Sequence, residues 1–240
     1  MATYFVSDFH LGESDKARDV RKLELFDQFL ERCKGDLTHL IILGDLYDFW
    51  FEYRYLVPKH NLSILYRMRD LVLKGVKVTY VCGNHDFWIG DFMSDELGFA
   101  VEPDQLVLES ALGKVLVLHG DGIAPSDYKY RLLKRVLRNR VGIALYRQLP
   151  TSFAYKLALT VSGNSRHYGA ETPSAEFVRE YHEFAKSRFK EGCAAVVCGH
   201  IHWPELVDME GKFYVNCGDW LTYFTYVRFD GTKFELKAMI

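Results

Sequence analysis

The chain has no C-x-x-C pair among its five cysteines, Cys33, Cys82, Cys193, Cys198 and Cys217. An odd count without zinc spacing excludes a cysteine-based zinc module and predicts free thiols in a reducing compartment, used mainly as small buried hydrophobes. No apolar run reaches the roughly 18 residues that a membrane-spanning helix needs. The opening Ala2-Thr3-Tyr4-Phe5-Val6 reads as a strand, not as a charged and apolar leader. A cytoplasmic location is therefore expected, with any membrane contact peripheral. Internal repeats and low-complexity linkers are absent as well. A net charge of −2 excludes a globally basic nucleic-acid binder. The sharpest absence is local. Between Tyr128 and Ala170 there is no Asp or Glu, against nine basic residues: Lys129, Arg131, Lys134, Arg135, Arg138, Arg140, Arg147, Lys156 and Arg166. A one-signed block of this length points to an anionic partner.

What remains is an ordinary globular composition, 49% hydrophobic and 26% charged over 240 residues, enough for one core domain with an insert. Strand patterns are expected over Thr3–Ser7, Thr38–Leu43, Val76–Val81, Gln105–Glu109, Lys114–Leu118 and Ala194–Cys198, with three or four more strands to the C-terminus around an Asp230-Gly231 hairpin turn. Helices are expected over Lys16–Cys33, Leu62–Leu73 and Ser174–Phe189, the last with Pro173 and Ser174 as start signals. In the acid-free block, Leu132, Leu133, Val136, Leu137, Ile143, Ala144 and Leu145 recur near helical spacing. Two or three amphipathic helices are expected there, broken near Gly142 and Pro150. The order of elements is a mixed α/β (α+β) one rather than a strict βαβ repeat.

Polar clusters follow directly on five of the apolar strands: Asp8-Phe9-His10, Gly44-Asp45-Leu46-Tyr47-Asp48, Gly83-Asn84-His85-Asp86, His119-Gly120-Asp121 and Gly199-His200-Ile201-His202. Ligand sites gather at the carboxyl ends of such strands. Carboxylates, imidazoles and one amide, without a thiolate, suit divalent Mn, Fe or Zn. Seven ligands exceed one tetrahedral ion and fit two ions that share a carboxylate. Two ions roughly 3.5–4 Å apart clamp a phosphoryl group and activate water near neutral pH. Each motif alone is weak, but five of the nine histidines fall in these clusters, which removes chance as an explanation.

The series D-x-H, G-D-x-x-D, G-N-H-D, H-G-D and G-H-x-H, in this order from Asp8 to His202, resembles the calcineurin-like metallophosphoesterase superfamily. The resemblance implies a two-sheet β-sandwich flanked by helices. It implies that Asp8, His10, Asp45 and His202 hold one ion, that Asp45, Asn84, His119 and His200 hold the second, and that Asp45 bridges them. It also implies that His85 acts as acid or transition-state stabiliser and that Asp48 orients it, a pairing in which a carboxylate fixes the imidazole tautomer.

The stretches Phe5–Gly12, Gly44–Trp50 and His119–Gly122 further resemble the UDP-2,3-diacylglucosamine diphosphatases of lipid A synthesis. That family carries a helical cap where the acid-free block lies. The implied organisation is a metallophosphoesterase core over 1–127 and 171–240 with a basic cap insertion over 128–170. The implied reaction is attack of water on the α-phosphorus of UDP-2,3-diacylglucosamine, giving UMP and 2,3-diacylglucosamine 1-phosphate. The family's substrate contacts fall on Asn84, His85, Asp127, Tyr130, Ser165 and His200, beside Asn164, and Arg166 stands next in the cap. The chain departs from the best-known members at His85, where they carry Arg, and at Gly169 and Thr172, where they carry Asn and Lys. The implied cofactor is a pair of Mn ions, with Fe or Zn as alternatives. The implied partner is a UDP-linked acylated sugar or similar anionic amphiphile, met at the cytoplasmic face of the inner membrane through residues 128–170. A phosphodiesterase or phosphatase acting on another nucleotide or phospholipid-like substrate would use the same metal core. The block lacks spaced exposed aromatics for base stacking, which argues against nucleic acid. Trp50, Phe51, Tyr53, Tyr55, Phe87, Trp88 and Phe92 are expected mainly as core, with pocket wall or cap foot as the other reading; Trp203 and Pro204 offer a turn or a base contact, and Asn216 a supporting partner beside the site.

Overall fold

The structure, a computed structural model, describes residues 1–12, 16–157 and 172–240. Asn164, Ser165, Arg166 and Gly169 lie outside the described residues. Two mixed sheets stack face to face. The first has the order β11-β10-β1-β2-β3-β4, built from β1 (Ala2–Val6), β2 (Leu37–Ile42), β3 (Lys77–Val81), β4 (Ala100–Glu102), β10 (Thr225–Phe229) and β11 (Phe234–Ala238). The second has the order β5-β6-β7-β9-β8, built from β5 (Gln105–Ser110), β6 (Gly113–Leu118), β7 (Cys193–Cys198), β8 (Glu205–Met209) and β9 (Lys212–Asn216). In the first sheet β1 to β4 run parallel, and in the second β6, β7 and β9 do.

Alternation along these strands divides the core into three layers. Phe5, Ile41, Val81, Val117, Val197 and Val215 meet between the sheets. Tyr4, Val6, Leu40 and Ile42 face the other way, against Phe26 and Phe29 of α1 (Lys16–Cys33) and Leu65 and Met68 of α2 (Ser63–Leu73). Val196 and Cys198 pack with Tyr181 and Ala185 of α6 (Ala175–Lys190), whose N-cap Ser174 accepts from the Phe177 N–H. Both faces of the parallel strands are thus covered, which is why they read as continuous apolar runs.

Among its described residues the basic segment forms three helices: α3 (Tyr128–Leu137), α4 (Arg140–Tyr146) and α5 (151–157). The expected break at Gly142 is displaced. Asn139 is the N-cap of α4, its side chain accepting from the N–H groups of Val141 and Gly142, so Gly142 lies inside the helix. An Asx cap determines a helix start more strongly than one interior glycine ends it. Pro150 does mark the next boundary, its carbonyl accepting from Phe153 and Ala154.

Aromatic contacts set this segment on the core. Tyr146 lies 4.9 Å from both Phe51 and Trp88, and Tyr155 lies 6.1 Å from Phe49. Trp50 and Phe51 are buried, while Tyr55 is 82% exposed, so the aromatic group expected as core divides between core, foot of the helices and surface. The charge of the block also has an internal use that its sequence does not reveal. Lys134 pairs with Asp121 at 2.7 Å, Arg138 with Asp104 at 2.6 Å, and Arg131 donates to the carbonyls of Ala124 and Pro125. Among the described residues no helix is long and apolar enough to cross a membrane.

Candidate metal centre

Six parallel strands, β1, β2, β3, β6, β7 and β9, deliver their carboxyl ends to one edge of the sandwich. The loops that follow turn sharply. Asp8, His10, Asp45, His200 and His202 all have left-handed backbone, with φ between +48° and +70°. Such a φ costs an L-residue about 1 kcal/mol or more and clusters where function requires it. Gly44 and Gly83 pass within van der Waals limits of each other, since a Cβ on Gly44 would stand 2.5 Å from the Gly83 Cα. Only glycine allows that approach.

The predicted ligands converge. Asp8, His10 and His202 form one group, and Asp45, His119 and His200 another, each with ligand atoms within 4.8 Å of one another. Asn84 joins the second group, its Oδ1 lying 3.0 Å from His119 Nε2. A third group, His10, Asp45 and His85, stands between these two and overlaps each of them. Asp45 Oδ1 accepts from the His85 N–H at 2.9 Å, while its Oδ2 faces His119 Nε2 at 3.4 Å, His10 Nε2 at 3.8 Å and His85 Nε2 at 3.9 Å. Asp8 divides its oxygens similarly. Oδ2 accepts from Ser7 Oγ and from the His200 N–H, leaving Oδ1 toward His202 Nε2 at 3.3 Å and His10 Nε2 at 3.7 Å.

Carbonyls and carboxylates on the far ring nitrogens determine which nitrogen points inward. His119 Nδ1 lies 2.5 Å from the Leu43 carbonyl, which can only accept, so Nε2 is left for coordination. His202 Nδ1 lies 3.2 Å from Asp219 Oδ2 and His10 Nδ1 lies 3.5 Å from Asp48 Oδ1, the carboxylate–histidine arrangement that raises ligand basicity and orients the ring. Asp48 therefore serves differently from its expected role. Its carboxylate addresses His10, and it reaches His85 through its main-chain carbonyl, 2.8 Å from His85 Nδ1. That contact still fixes the His85 tautomer and leaves Nε2 on the side of Asp45.

The electrostatics suit cations. Burial alone would push the His10, His119 and His202 imidazoles down, yet the surrounding carboxylates carry them up to about 9, 10 and 10. Burial would likewise push Asp8 and Asp45 up, but the neighbouring imidazoles hold both well below the carboxylate range. His200, burdened by burial and by His119, falls to about 4 and stays neutral. Two ionised carboxylates in a buried pocket attract protons here and would attract divalent ions more strongly. Asp8 Oδ1 and His10 Nε2 are buried without a hydrogen-bond partner among the described residues. Orphaned buried acceptors of this kind are costly unless an ion takes them up, so the residues present fit a pair of divalent cations.

Several supporting residues carry no motif of their own. Asp86 accepts from Tyr80 Oη, the Leu46 N–H and the Gly83 N–H, tying the second and third loops together. Asn216 donates to the Gly199 carbonyl at 2.8 Å, which places it beside the G-H-x-H loop as expected. Asp219 enters from the loop after β9, directly after the left-handed Gly218. Trp203 packs against Tyr223 at 5.9 Å and on the α6 layer. Of the expected substrate contacts, Asn84, His85 and His200 stand in the cluster. Tyr130 is near it, its ring 6.1 Å from His200 and its hydroxyl donating to Asp121 Oδ2 at 2.9 Å. Asp127 immediately precedes α3, and its main-chain carbonyl accepts from the Arg131 N–H at 3.1 Å. Ser165 and Arg166 lie outside the described residues.

A sequence model of the family described as calcineurin-like phosphoesterase matches residues 1–204. The chain is 31% identical over 257 residues to the UDP-2,3-diacylglucosamine hydrolase of Porphyromonas gingivalis, covering 98% of this chain and 97% of that protein. It is 32% identical over 220 residues to the UDP-2,3-diacylglucosamine hydrolase of Pseudomonas putida, covering 90% and 89%. Among solved structures, an archaeal phosphodiesterase shares the fold with a TM-score of 0.52 at 12% identity, covering 99% of both chains.

Proposed function

The chain belongs to the calcineurin-like phosphoesterase family and is a metal-dependent hydrolase, and we propose that it hydrolyses UDP-2,3-diacylglucosamine to UMP and 2,3-diacylglucosamine 1-phosphate. The observation that carries this reading is the near full-length similarity to hydrolases of that substrate, in a chain whose Asp, His and Asn candidate ligands cluster in overlapping groups. In this reading Asp8, His10, Asp45 and His202 hold one ion, and Asp45, Asn84, His119 and His200 hold the other. The nitrogen and oxygen donors suit Mn, with Fe or Zn as substitutes. Bound there, the ions supply Lewis-acid activation of the phosphoryl group and of the attacking water.

The chain's own residues supply the rest. His85, fixed through Nδ1 by the Asp48 carbonyl, offers Nε2 to a phosphoryl oxygen beside Asp45. Asn84, Tyr130 and His200 line the approach, and Asp127, Ser165 and Arg166 are assigned to the sugar and diphosphate. Residues 1–127 and 171–240 act as the catalytic core and 128–170 as its cap. The exposed face of that cap mixes Leu132, Val141, Leu145, Phe153 and Leu157 with Arg135, Arg147 and Lys156. Apolar and basic groups together suit an anionic amphiphile and peripheral contact with the cytoplasmic face of the inner membrane.

The test is an assay of Mn-loaded protein against UDP-2,3-diacylglucosamine and bis-p-nitrophenyl phosphate side by side, with Asp45→Asn as control. UMP release from the lipid, lost in the control, is the expected result. Turnover of the nitrophenyl ester alone would overturn the substrate assignment and leave a phosphoesterase for another anionic substrate.

A further inference from the structure

Lys22 lies on α1 and is 2% exposed, a burial that an ammonium tolerates only when paired and hydrogen bonded. Its Nζ donates to the main-chain carbonyl of His10 at 3.0 Å and stands 3.5 Å from Asp19 Oδ1. Asp19, one turn earlier on α1, accepts at Oδ2 from the Gly12 N–H at 2.9 Å and from Asn61 Nδ2 at 2.7 Å. Asn61 is itself left-handed, and its carbonyl accepts from Tyr47 Oη. A buried charged cluster thus grips both ends of the stretch from His10 to Gly12.

That stretch needs holding. Asp8 and His10 have φ of +56° and +48°, so two candidate ligands sit on strained backbone within three residues. Neutral main-chain bonds tie the N–H groups of Asp8, His10 and Leu11 to the carbonyls of Gly44, Asp45 and Leu46. The His10 carbonyl takes no part in that ladder. Its partner is the Lys22 ammonium, and a charge-assisted bond is roughly twice as strong as a neutral one. The peptide plane beyond His10 is thereby fixed, and with it the direction of the ring that faces both Asp8 and Asp45.

We propose that Lys22, with Asp19 as its counter-ion, is a positioning residue of the metal centre: it locks the left-handed His10 backbone so that His10 and Asp8 present their ligand atoms to the same ion. The inference rests on the two-ion reading above. Lys22 touches neither substrate nor ion, and its effect runs through the His10 main chain.

The experiment titrates Mn into the apo form of the full chain, followed by calorimetry and by the exchange-coupled EPR signal of a Mn pair. Wild type, Lys22→Met, and the double variant Lys22→Met with Asp19→Asn, which removes both buried charges together, are compared. Leu65→Ala, in the α2 layer of the core, controls for loss of stability alone. The expected result is about a ten- to hundredfold weaker first Mn affinity in both Lys22 variants, the size of effect that partners of metal ligands usually show. The coupled signal should demand correspondingly more Mn, kcat on the nitrophenyl ester should fall while KM holds, and Leu65→Ala should lower Tm without moving Mn affinity. Unchanged Mn affinity in the Lys22 variants, an equal shift in Leu65→Ala, or failure of both Lys22 variants to fold would overturn the inference and leave Lys22 a purely structural residue. A wild-type chain that binds no pair of ions would overturn the two-ion reading, and this inference with it.

Discussion

A Cβ at Gly199 would stand 2.0 Å from Ser7 Oγ and 2.6 Å from Asp8 Oδ2, and one at Gly83 would stand 2.1 Å from Asp45 Oδ1. These glycines are where the chain makes room for the two carboxylates. Gly199→Ala should therefore cost about 1–3 kcal/mol of stability, the range of overpacking in a closed site. It should also displace Asp8, so that urea melts and Mn titration fall together; an alanine variant that binds Mn as wild type does would refute the crowding argument. A second residue shows its effect through pH. Burial, with Lys77 adding to it, lowers His39 to about 4, and its ring bonds to Thr79 Oγ1. Because the folded value lies below the unfolded one near 6.5, this histidine contributes fully above about pH 6.5 and its contribution erodes as pH falls toward 4. Its ring is only half-buried, so solvent screening holds the loss to about 1–2 kcal/mol. His39→Gln should flatten the fall of Tm between pH 7 and pH 5; parallel curves would show that another group is responsible. The candidate ligands were legible because each follows an apolar strand directly. Lys22 was not, since its partner is a main-chain carbonyl brought near only by folding, and nothing in Asp19–Lys22 distinguishes it from a surface i,i+3 pair.

At the scale of elements, the position of α3 depends on one buried acid. Asp121 sits two residues beyond His119 and gathers Tyr130 and Lys134 from successive turns of the helix and Arg138 from just past its end. The acid-free composition of the block pointed outward, to an anionic partner, yet part of its charge faces the acidic core. That division could not be read locally, because Asp104 and Asp121 lie in other loops. The helix break at Asn139 was misplaced for a different reason: a cap and an interior glycine compete within four residues, and the cap won. Asp121→Asn keeps the shape of the side chain but removes the charge that Lys134 pairs with at 2.7 Å. Amide exchange over residues 128–146 should speed up several-fold in the variant, while exchange in β1, β2 and β7 should not change. Equal protection in variant and wild type would mean that the aromatic contacts of Tyr146 hold the helices without help.

The whole molecule is two sheets whose pairing no local pattern announces. β1 pairs with β10 across almost the full length of the chain, and β9 lies between β7 and β8. Strand positions were legible because both faces of the parallel strands are buried, but the order of strands depends on contacts far apart in sequence. The candidate centre straddles this division. Asp8, Asp45 and Asn84 leave the first sheet, whereas His119, His200 and His202 leave the second. A cation pair held by both sets would join the sheets at one edge, and it would bind the folded chain far better than the unfolded one. At free Mn a thousandfold above its dissociation constant, that preference is worth about 4 kcal/mol. For a chain of this length the gain corresponds to a Tm rise of roughly 10 °C. Melting should therefore move up with Mn and back with a chelator, and Asp45→Asn, which removes the proposed bridging carboxylate, should lose most of the shift. The rise should be accompanied by slower amide exchange at the carboxyl ends of strands in both sheets, β1 and β2 as well as β6 and β7. Protection confined to one sheet would mean that the ions are held by half of the site, and the bridging role of Asp45 would fall.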